Sequence, residues 1–260
     1  MTEQNLDRIE ALIRQLLDVV ASERAGLAAA RPVLPPPAPE QAVDPIALAF
    51  SDYGALYDFL RGNKLLGPKI SKSEFDGCDA IIRACVSAGW GVSYTAYALA
   101  TSYLETANTM QPIKEIGGTA YFMRMYDITG QRPAKAKELG NLTKGDGAKY
   151  PGHGYVQLTG KKNYRHAQDE LAKIGIVVDL VNNPALAMRP DVAAAIMVLG
   201  MEHGWFTGRK LSDDLPAHGP ATLIQFVASR DIINGKDRQE DVAAYAFQFQ
   251  TGLLAGGYRI

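Results

Sequence analysis

Apolar residues recur at steps of three and four along most of this chain, and that spacing predicts a mainly α-helical protein. A typical stripe is formed by Tyr164, Ala167, Leu171 and Ile174, and Gly175 closes it. Strand patterns are scarce, and long irregular stretches are expected at 108–155 and 205–219. The same helical period runs through AIIRACVSA, YTAYALATSYLETA, VAAAIMVLGMEH, ATLIQFVASR and DVAAYAFQFQTGLL.

Short polar side chains predict where several of these helices begin. Ser73 and Asp76 have the S-x-x-D form of a capping box, and Ser93 is placed to cap the next helix. Asp237 with Glu240 is expected to open the last helix. These signals predict helices with defined starts on both sides of the candidate catalytic residues described below.

The first residues carry a separate amphipathic pattern. Leu6, Ile9, Ile13, Leu16 and Val20 form an apolar seam with charges between them, but the repeat is too short to indicate a coiled coil by itself. Such a helix either lies on the main domain or mediates self-association or protein docking through residues 6–20.

A Pro-rich stretch, AAARPVLPPPAPEQAVDP, follows this seam and favours an extended spacer. We therefore predict three parts. Residues 1–27 form an amphipathic helix, 28–46 form a linker, and 47–260 form the main domain.

The segment PGHGYVQLTGKKNY breaks the helical period. Its residues alternate, which predicts that Tyr155, Gln157 and Thr159 face one way while Val156 and Leu158 face the core. A phenol, an amide and a hydroxyl on one face are typical of a sugar-binding surface.

Composition narrows the function classes. The chain has 260 residues, of which 47% are hydrophobic and 21% charged, and its net charge is −1. Without a dense basic run there is no electrostatic footprint for nucleic acid, so that partner is not expected. Cys78 and Cys85 are predicted to lie about 10 Å apart along one helix, which is too far for a disulfide.

The location of the protein is predicted from what its sequence lacks. No secretory signal and no membrane-spanning apolar run are visible, and unbridged thiols suit a reducing compartment. We expect a protein that stays in the cytoplasm until it is released to the periplasm or cell wall.

Two glutamates, ten positions apart, are the candidate catalytic pair. Glu105 ends the predicted helix, where the negative end of the helix dipole disfavours a carboxylate and so favours the protonated form needed for general-acid cleavage. Glu115 lies beyond Pro112, and a loop must carry it. Asp127 is the alternative second carboxylate, or it caps a turn.

Several motifs together resemble the family 19 glycoside hydrolases, and most closely their bacteriophage endolysin branch. The resemblance covers residues 50–255 and leaves the N-terminal helix and linker unexplained. The motifs are FLRGNKLLGPKISKSEFDGCDAI, YALATSYLETANTMQPIKE, AYFMRMYDITG, GDGAKYPGHGYVQLTGKKNY, MVLGMEHGWFTGRKLSD and FVASRDIINGKDR.

This resemblance implies a lysozyme-like, two-lobed helical domain with a small β-hairpin region and a cleft. It also implies inverting hydrolysis of β-1,4-linked N-acetylated sugars without a cofactor or metal. Glu105 matches the general acid, and Glu115 matches the acidic residue that the phage branch implicates in catalysis. The cleft residues that it implies for sugar binding are Gln157, Thr159, Asn163 and Asn234.

Two positions depart from the usual pattern of that family. Leu104 stands where relatives usually have histidine, and His153 stands where they usually have arginine. Histidine titrates near pH 6.5, so any charge supplied by His153 is expected to fade above neutrality.

Three functions fit the residues and the resemblance. The first is a muramidase that cuts peptidoglycan glycan strands. The second keeps the fold and cuts chitin. The third is a noncatalytic wall-binding or phage structural protein, docked through its N-terminal helix. The scattered His166, His203 and His218 do not have the spacing of a metal site.

Overall fold

The computed structural model describes residues 14–15, 17–22 and 44–260. The chain divides into two compact units, Met1–Ala42 and Val43–Ile260. In the first unit the described residues are helical, and the rest of the predicted helix at 1–27 lies outside them, as do residues 28–43 of the predicted linker. The proposed role of residues 6–20 in self-association or docking therefore stays a prediction.

The second unit, called the body below, begins before the expected boundary at residue 47. Asp44 caps a helix that starts at Pro45, and its carboxylate also accepts from Arg83 Nη1 at 2.6 Å. Ile46 is buried in the core. Proline at the first position of a helix needs no backbone N–H, so Pro45 starts a helix where the sequence analysis placed the end of a linker.

The body is mainly α-helical, as predicted, with one two-stranded sheet among the described residues. No described helix is both long and apolar enough to span a bilayer. The α-helices are α1 (Pro45–Ala49), α2 (Tyr53–Gly62), α3 (Lys72–Ser87), α4 (Val92–Glu105), α5 (Thr119–Tyr126), α6 (Pro133–Glu138), α7 (Asp146–Lys149), α8 (Lys161–Lys173), α9 (Pro190–His203), α10 (Leu211–Asp214), α11 (Leu223–Ser229) and α12 (Gln239–Ala255); 3₁₀ turns span Pro184–Met188 and Arg230–Ile232.

The two strands are short and antiparallel. They are β1 (Ile113–Lys114) and β2 (His153–Gly154), with Ile113 opposite Gly154 and Lys114 opposite His153. This confirms the expected small β region within a helical body. The stretches expected to be irregular contain the short helices α5 to α7 and α10, whose few turns leave too little periodicity to detect.

Helix α4 forms the centre of the core. Its residues are buried from Val92 to Tyr103, and α12 packs along it, with α3 also in contact. Tyr103 meets Tyr245 and Phe249 edge-on, at centroid distances of 4.9 and 6.2 Å. A helix enclosed in this way holds its last residue, Glu105, in a defined position.

Two predicted caps are wrong. Helix α3 is capped by a box of Ser71 and Glu74, two residues before the expected Ser73 and Asp76. Helix α4 begins after Gly91, and Ser93 instead donates to Pro216 O at 2.6 Å. A Cβ at Gly91 would lie 2.3 Å from Ala217 O, so this close approach requires glycine.

The start of the last helix also differs from the prediction. Arg238 occupies the N-cap position of α12 with a left-handed φ of 53°, and no side chain caps it. Asp237 instead uses its backbone oxygen to accept from Arg230.

The two cysteines lie in α3, as predicted, and are free and buried. Burial raises the pKa of both thiols, that of Cys85 to about 12. Neither thiol is therefore a reactive thiolate at neutral pH.

Candidate active site

A groove of about 500 Å³ brings the two candidate carboxylates together. It lies between the end of α4, the β1–β2 hairpin and the turn that follows Arg230–Ile232. Glu105 and Glu115 both line it, so two segments separated by a chain reversal present carboxyls to one space. The lining residues are Leu104, Glu105, Ala107, Ile113, Glu115, Ile116, Tyr126, Val156, Gln157, Thr159, Ile233 and Asn234.

Glu105 is held by a buried arginine. Arg230 Nη2 donates to Glu105 Oε1 at 2.9 Å, and Arg230 Nε donates to Asp237 O at 2.8 Å. The arginine side chain is 1% exposed and the glutamate 17% exposed. Arg230 is therefore the cation that fixes the position of the Glu105 carboxyl.

Arg230, which contacts the candidate acid, was not predicted from the sequence. It stands 125 positions from Glu105, in an apolar helical run with no motif that assigns it a role. The one sequence feature that could have identified Arg230 is its charge, because it stands within FVASRDII, where an apolar core face is otherwise expected.

The loop that joins Glu105 to β1 is unusually constrained. Ala107, Asn108 and Met110 all have positive φ, between 50° and 68°. The Thr106 hydroxyl donates to Ser102 O at 2.7 Å and accepts from Met110 N at 3.1 Å. Backbone strain of this kind persists only where the surroundings enforce it, and it is common at active sites.

Helix α3 provides one of the surfaces that hold this loop. A Cβ at Gly77 would lie 1.7 Å from Met110 O, so the helix and the loop touch at a position that only glycine permits. Next to it, Gln111 Nε2 donates to Ser73 O at 2.6 Å. The spacing between the two candidate carboxylates is thus set by a packed loop.

Glu115 follows β1 and accepts hydrogen bonds on both oxygens. Tyr126 Oη donates to Oε1 at 2.9 Å, and Gly152 N donates to Oε2 at 3.0 Å. Burial and the hydrogen bond to Glu115 raise the pKa of Tyr126, so the phenol remains a donor. Both neighbours donate, so Glu115 acts as a hydrogen-bond acceptor at each oxygen.

Asp127, the alternative second carboxylate, is a structural residue. It is fully buried and outside the groove lining. Its oxygens accept from Thr129 N and Oγ1 and from the N–H groups of Gly145 and Gly147. Burial opposes ionisation, but these four bonds outweigh it and hold the pKa of Asp127 below its ordinary value. With its acceptor sites occupied, Asp127 ties two loops together.

The alternation predicted for the YVQLT segment is wrong. Residues 155–157 form a turn between β2 and the bridge of His153 with Leu158, so successive side chains do not alternate across a strand. Tyr155 is buried outside the groove, while Val156 lines it beside Gln157 and Thr159. A strand-period pattern in five residues does not distinguish a short hairpin turn from a strand.

Gln157 is held firmly at the groove floor. Its φ is +53°, and its amide donates to Ile113 O at 3.1 Å and to Gly154 O at 3.0 Å. Its carbonyl end would contact a Cβ placed on Gly152, at 2.7 Å. Because both amide hydrogens are used, Gln157 offers the groove an acceptor oxygen.

Of the remaining predicted binding residues, some line the groove and one lies behind its lining. Thr159 and Asn234 line the groove. Asn163 does not; it donates to Thr159 O at 2.7 Å and so fixes the backbone beneath the groove. The structure thus places Gln157, Thr159 and Asn234 with the glutamates, and places Tyr155 and Asn163 behind them.

His153 does not supply a charge to the groove. It is buried, and its Nδ1 is hydrogen-bonded to the hydroxyl of Tyr164, which donates to Pro151 O at 2.7 Å. Burial, with a smaller effect of the Lys114 charge, lowers its pKa to about 4. The expectation that His153 changes charge near neutrality is wrong. Leu104, the other departure, lines the groove.

A pH-dependent loss of stability is expected from His153. Its pKa is about 4 when folded and about 6.5 when unfolded, so the unfolded chain binds the proton more tightly. Its stabilising contribution is complete above pH 6.5 and is lost as pH falls toward 4, by about 3 kcal/mol in total. Urea unfolding at pH 7, 5.5 and 4 should show a smaller acid loss for His153→Gln than for the unsubstituted protein.

The exposed His203 provides the matched control for this measurement. His203→Gln should retain the full acid dependence. An unchanged pH dependence in His153→Gln would contradict the burial argument.

Among the described residues, no cluster of three or more His, Cys, Asp or Glu side chains is arranged to hold a metal ion. The polar groups in the groove are carboxylates, amides, hydroxyls and one phenol. They are suited to proton transfer and hydrogen bonding with a neutral polar ligand.

Comparison with known proteins yields similarity in structure alone. No protein-family model and no curated protein matches the chain. Chitinase C from Streptomyces griseus is 22% identical, with a TM-score of 0.42 over 82% of this chain and 73% of that chain. A mutant of chitinase C is 21% identical, with a TM-score of 0.48 over 80% of each chain. Likeness at this level assigns neither a family nor a substrate, and the groove must be interpreted from its own side chains.

Proposed function

We propose that this protein is a glycosidase that hydrolyses β-1,4 bonds between N-acetylated sugars by general acid and base catalysis. The observation that carries this proposal is that Glu105 and Glu115 line one groove in different environments. Glu105 is bound by one cation, and Glu115 is bound by two neutral donors. Two carboxyls with different surroundings are what glycoside hydrolysis requires.

Glu105 is proposed as the acid that protonates the leaving oxygen. It lies at the end of a rigid helix, with its carboxyl reaching the groove. In the empty groove this carboxyl contacts Arg230. General-acid catalysis requires it to carry a proton and to reach the glycosidic oxygen when a sugar fills the groove.

Glu115 is proposed as the base that activates water. Tyr126 and Gly152 each use one lone pair of its carboxylate, and the remaining lone pairs are free to accept from a water molecule. A base that works through an intervening water implies a single displacement with inversion, because the water attacks from the face opposite the leaving group.

The rest of the groove suits a sugar. Gln157, Thr159 and Asn234 offer neutral hydrogen-bonding groups, and Ile113, Ile116, Val156 and Ile233 offer apolar surface. Ile116 is 82% exposed, so it offers its apolar surface at the rim of the groove. Sugars combine apolar ring faces with hydroxyl edges, so both kinds of group are needed.

Peptidoglycan glycan strands are the substrate that we propose, with an endolysin role in which the protein is released from the cytoplasm to the cell wall. The sequence resemblance to the phage endolysin branch supports this choice. Chitin is the competing substrate, because it has the same β-1,4 linkage between N-acetylated sugars.

Product analysis tests the reaction and separates the two substrates. Purified sacculi should release soluble muropeptides with new reducing ends, and N-acetylglucosamine oligomers should be cut at least tenfold more slowly. Proton NMR of the first products should show the α-anomer, as inversion of a β bond requires. Release of the β-anomer would overturn the assignment of Glu115 as a base acting through water. Faster cleavage of the oligomers would assign chitin as the substrate.

A further inference from the structure

One face of helix α4 carries a polar line that ends at Glu105. Tyr97, Thr101 and Glu105 are spaced four residues apart, which places them one above another on the helix surface. The tyrosine and the threonine are fully buried. The line therefore runs from the protein interior to the proposed catalytic acid.

Buried polar atoms along this line lack hydrogen-bond partners. Within residues 44–260, no partner is found for Tyr97 Oη, Thr101 Oγ1 or Arg230 Nη1, and none for Asp214 Oδ2. The other guanidinium nitrogens of Arg230 are used, Nη2 by Glu105 and Nε by Asp237 O. Arg230 thus has two bonded nitrogens, one of them on Glu105, and one buried nitrogen without a partner.

These groups lie close enough to influence one another. Burial raises the pKa of the Tyr97 phenol, while the adjacent Thr101 hydroxyl, too poorly directed at Tyr97 Oη to count as its hydrogen-bond partner, and then the Arg230 charge act in the opposite direction. The charges of Glu105 and Asp214 add to the increase. The carboxylate of Asp214 is itself paired with Arg209 at 2.6 Å.

A buried polar group without a hydrogen-bond partner raises the free energy of the folded state. Buried donors and acceptors are almost always hydrogen-bonded, and where no protein atom serves, ordered water does. The four atoms include donors and acceptors: a guanidinium N–H, two hydroxyls and a carboxylate oxygen. Water fits this mixture, because it accepts from the guanidinium and donates to oxygen.

We propose that Tyr97 and Thr101 are positioning residues, which bind ordered water against Arg230 Nη1 and thereby fix the guanidinium that pairs with Glu105. The water and the two hydroxyls form a hydrogen-bonded backing, called the relay below. It holds Arg230 in the orientation that stabilises the Glu105 carboxylate in the empty groove. This role rests on the proposed glycosidase function, whereas the presence of the water does not.

Removing the relay should change catalysis without removing a catalytic group. In Tyr97→Phe and in Thr101→Val, the guanidinium loses its backing and Glu105 is held less precisely. We expect kcat to fall about tenfold with KM within twofold, since misplacement of a reacting group acts on the chemical step. The pH profile of activity should change as well, because the guanidinium beside Glu105 is held less firmly.

Conservative variants separate this role from a loss of packing. Thr101→Ser keeps the hydroxyl and should retain activity and pH profile. Tyr94→Phe makes the same change elsewhere on α4, at a hydroxyl that is not among the unpartnered atoms, and should be silent. The charges that face the relay are those of Arg230, Glu105 and Asp214 with its partner Arg209, and all of them remain in every variant.

A crystal structure provides the readout that does not depend on activity. We expect water within hydrogen-bond distance of Arg230 Nη1 and of the Tyr97 or Thr101 hydroxyl. A dry site would overturn the proposal, and so would an unchanged kcat and pH profile in folded Tyr97→Phe and Thr101→Val. If the unsubstituted protein cuts no glycan, the glycosidase function fails and the positioning role fails with it; ordered water would then leave these groups as a structural hydration site.

Discussion

Replacing Glu105 with glutamine is expected to lower kcat for glycan hydrolysis by about 10²–10⁴-fold, the range for loss of a general acid. Glutamine keeps the shape of the side chain and an oxygen that accepts from Arg230, but it carries no proton to give to the leaving oxygen. The substitution also leaves the buried Arg230 without its counter-charge, so some loss of stability is expected. Activity should therefore be measured as turbidity loss of permeabilised Gram-negative cells, per folded molecule.

Glu202→Gln is the matched control for this experiment. Glu202 also lies near the C-terminal end of a helix, α9, but it is exposed and does not line the groove. Its substitution should leave lysis unchanged. Equal lysis by Glu105→Gln and the unsubstituted protein would remove Glu105 from the mechanism.

Comparing Glu115→Gln with Asp127→Asn should separate the proposed catalytic carboxylate from the one that links two loops. Glu115→Gln is expected to lower kcat by about 10²–10⁴-fold with little change in Tm, because the base is lost while an oxygen acceptor remains. Asp127→Asn brings an amide group toward the N–H groups of Gly145 and Gly147, and we expect it to cost about 1–3 kcal/mol of stability. Thermal unfolding and initial rates, measured on the same samples, check both.

The reverse pattern would contradict the assignment of roles. If folded Asp127→Asn lost turnover while Glu115→Gln kept it, the second carboxylate would be Asp127. Tyr126→Phe is a smaller change at the same site, because it removes one of the two hydrogen-bond donors to Glu115 and leaves the carboxylate in place.

Much of the helical framework could be predicted from the sequence. The stripe from Tyr164 to Leu171 and the glycine after His203 gave α8 and α9 nearly their observed bounds, since period and C-cap are local properties. Glu105 and Glu115 could be selected for the same reason, because a helix end and a loop beyond a proline are visible in order along the chain.

Two kinds of feature were not predictable from the sequence: very short elements, and side chains that bond to residues distant in the chain. The turn at residues 155–157 is too short to show a period, and its interpretation as a strand placed Tyr155 in the groove. Ser93 donates a hydrogen bond to Pro216 O instead of capping its own helix, and Asp127 accepts hydrogen bonds from Gly145 N and Gly147 N. In each case the side chain satisfied a group that is distant in sequence.

The sequence by itself determined the longer helices, the candidate acid–base residues, and the two glutamates that lie on either side of a chain reversal. Only the tertiary structure decided that Glu115 faces the groove while Asp127 is enclosed, that His153 is buried and neutral, and that Arg230 holds Glu105 across 125 positions. The physical reason is that periodicity and capping act over a few residues, whereas burial and ion pairing depend on which distant surfaces pack together.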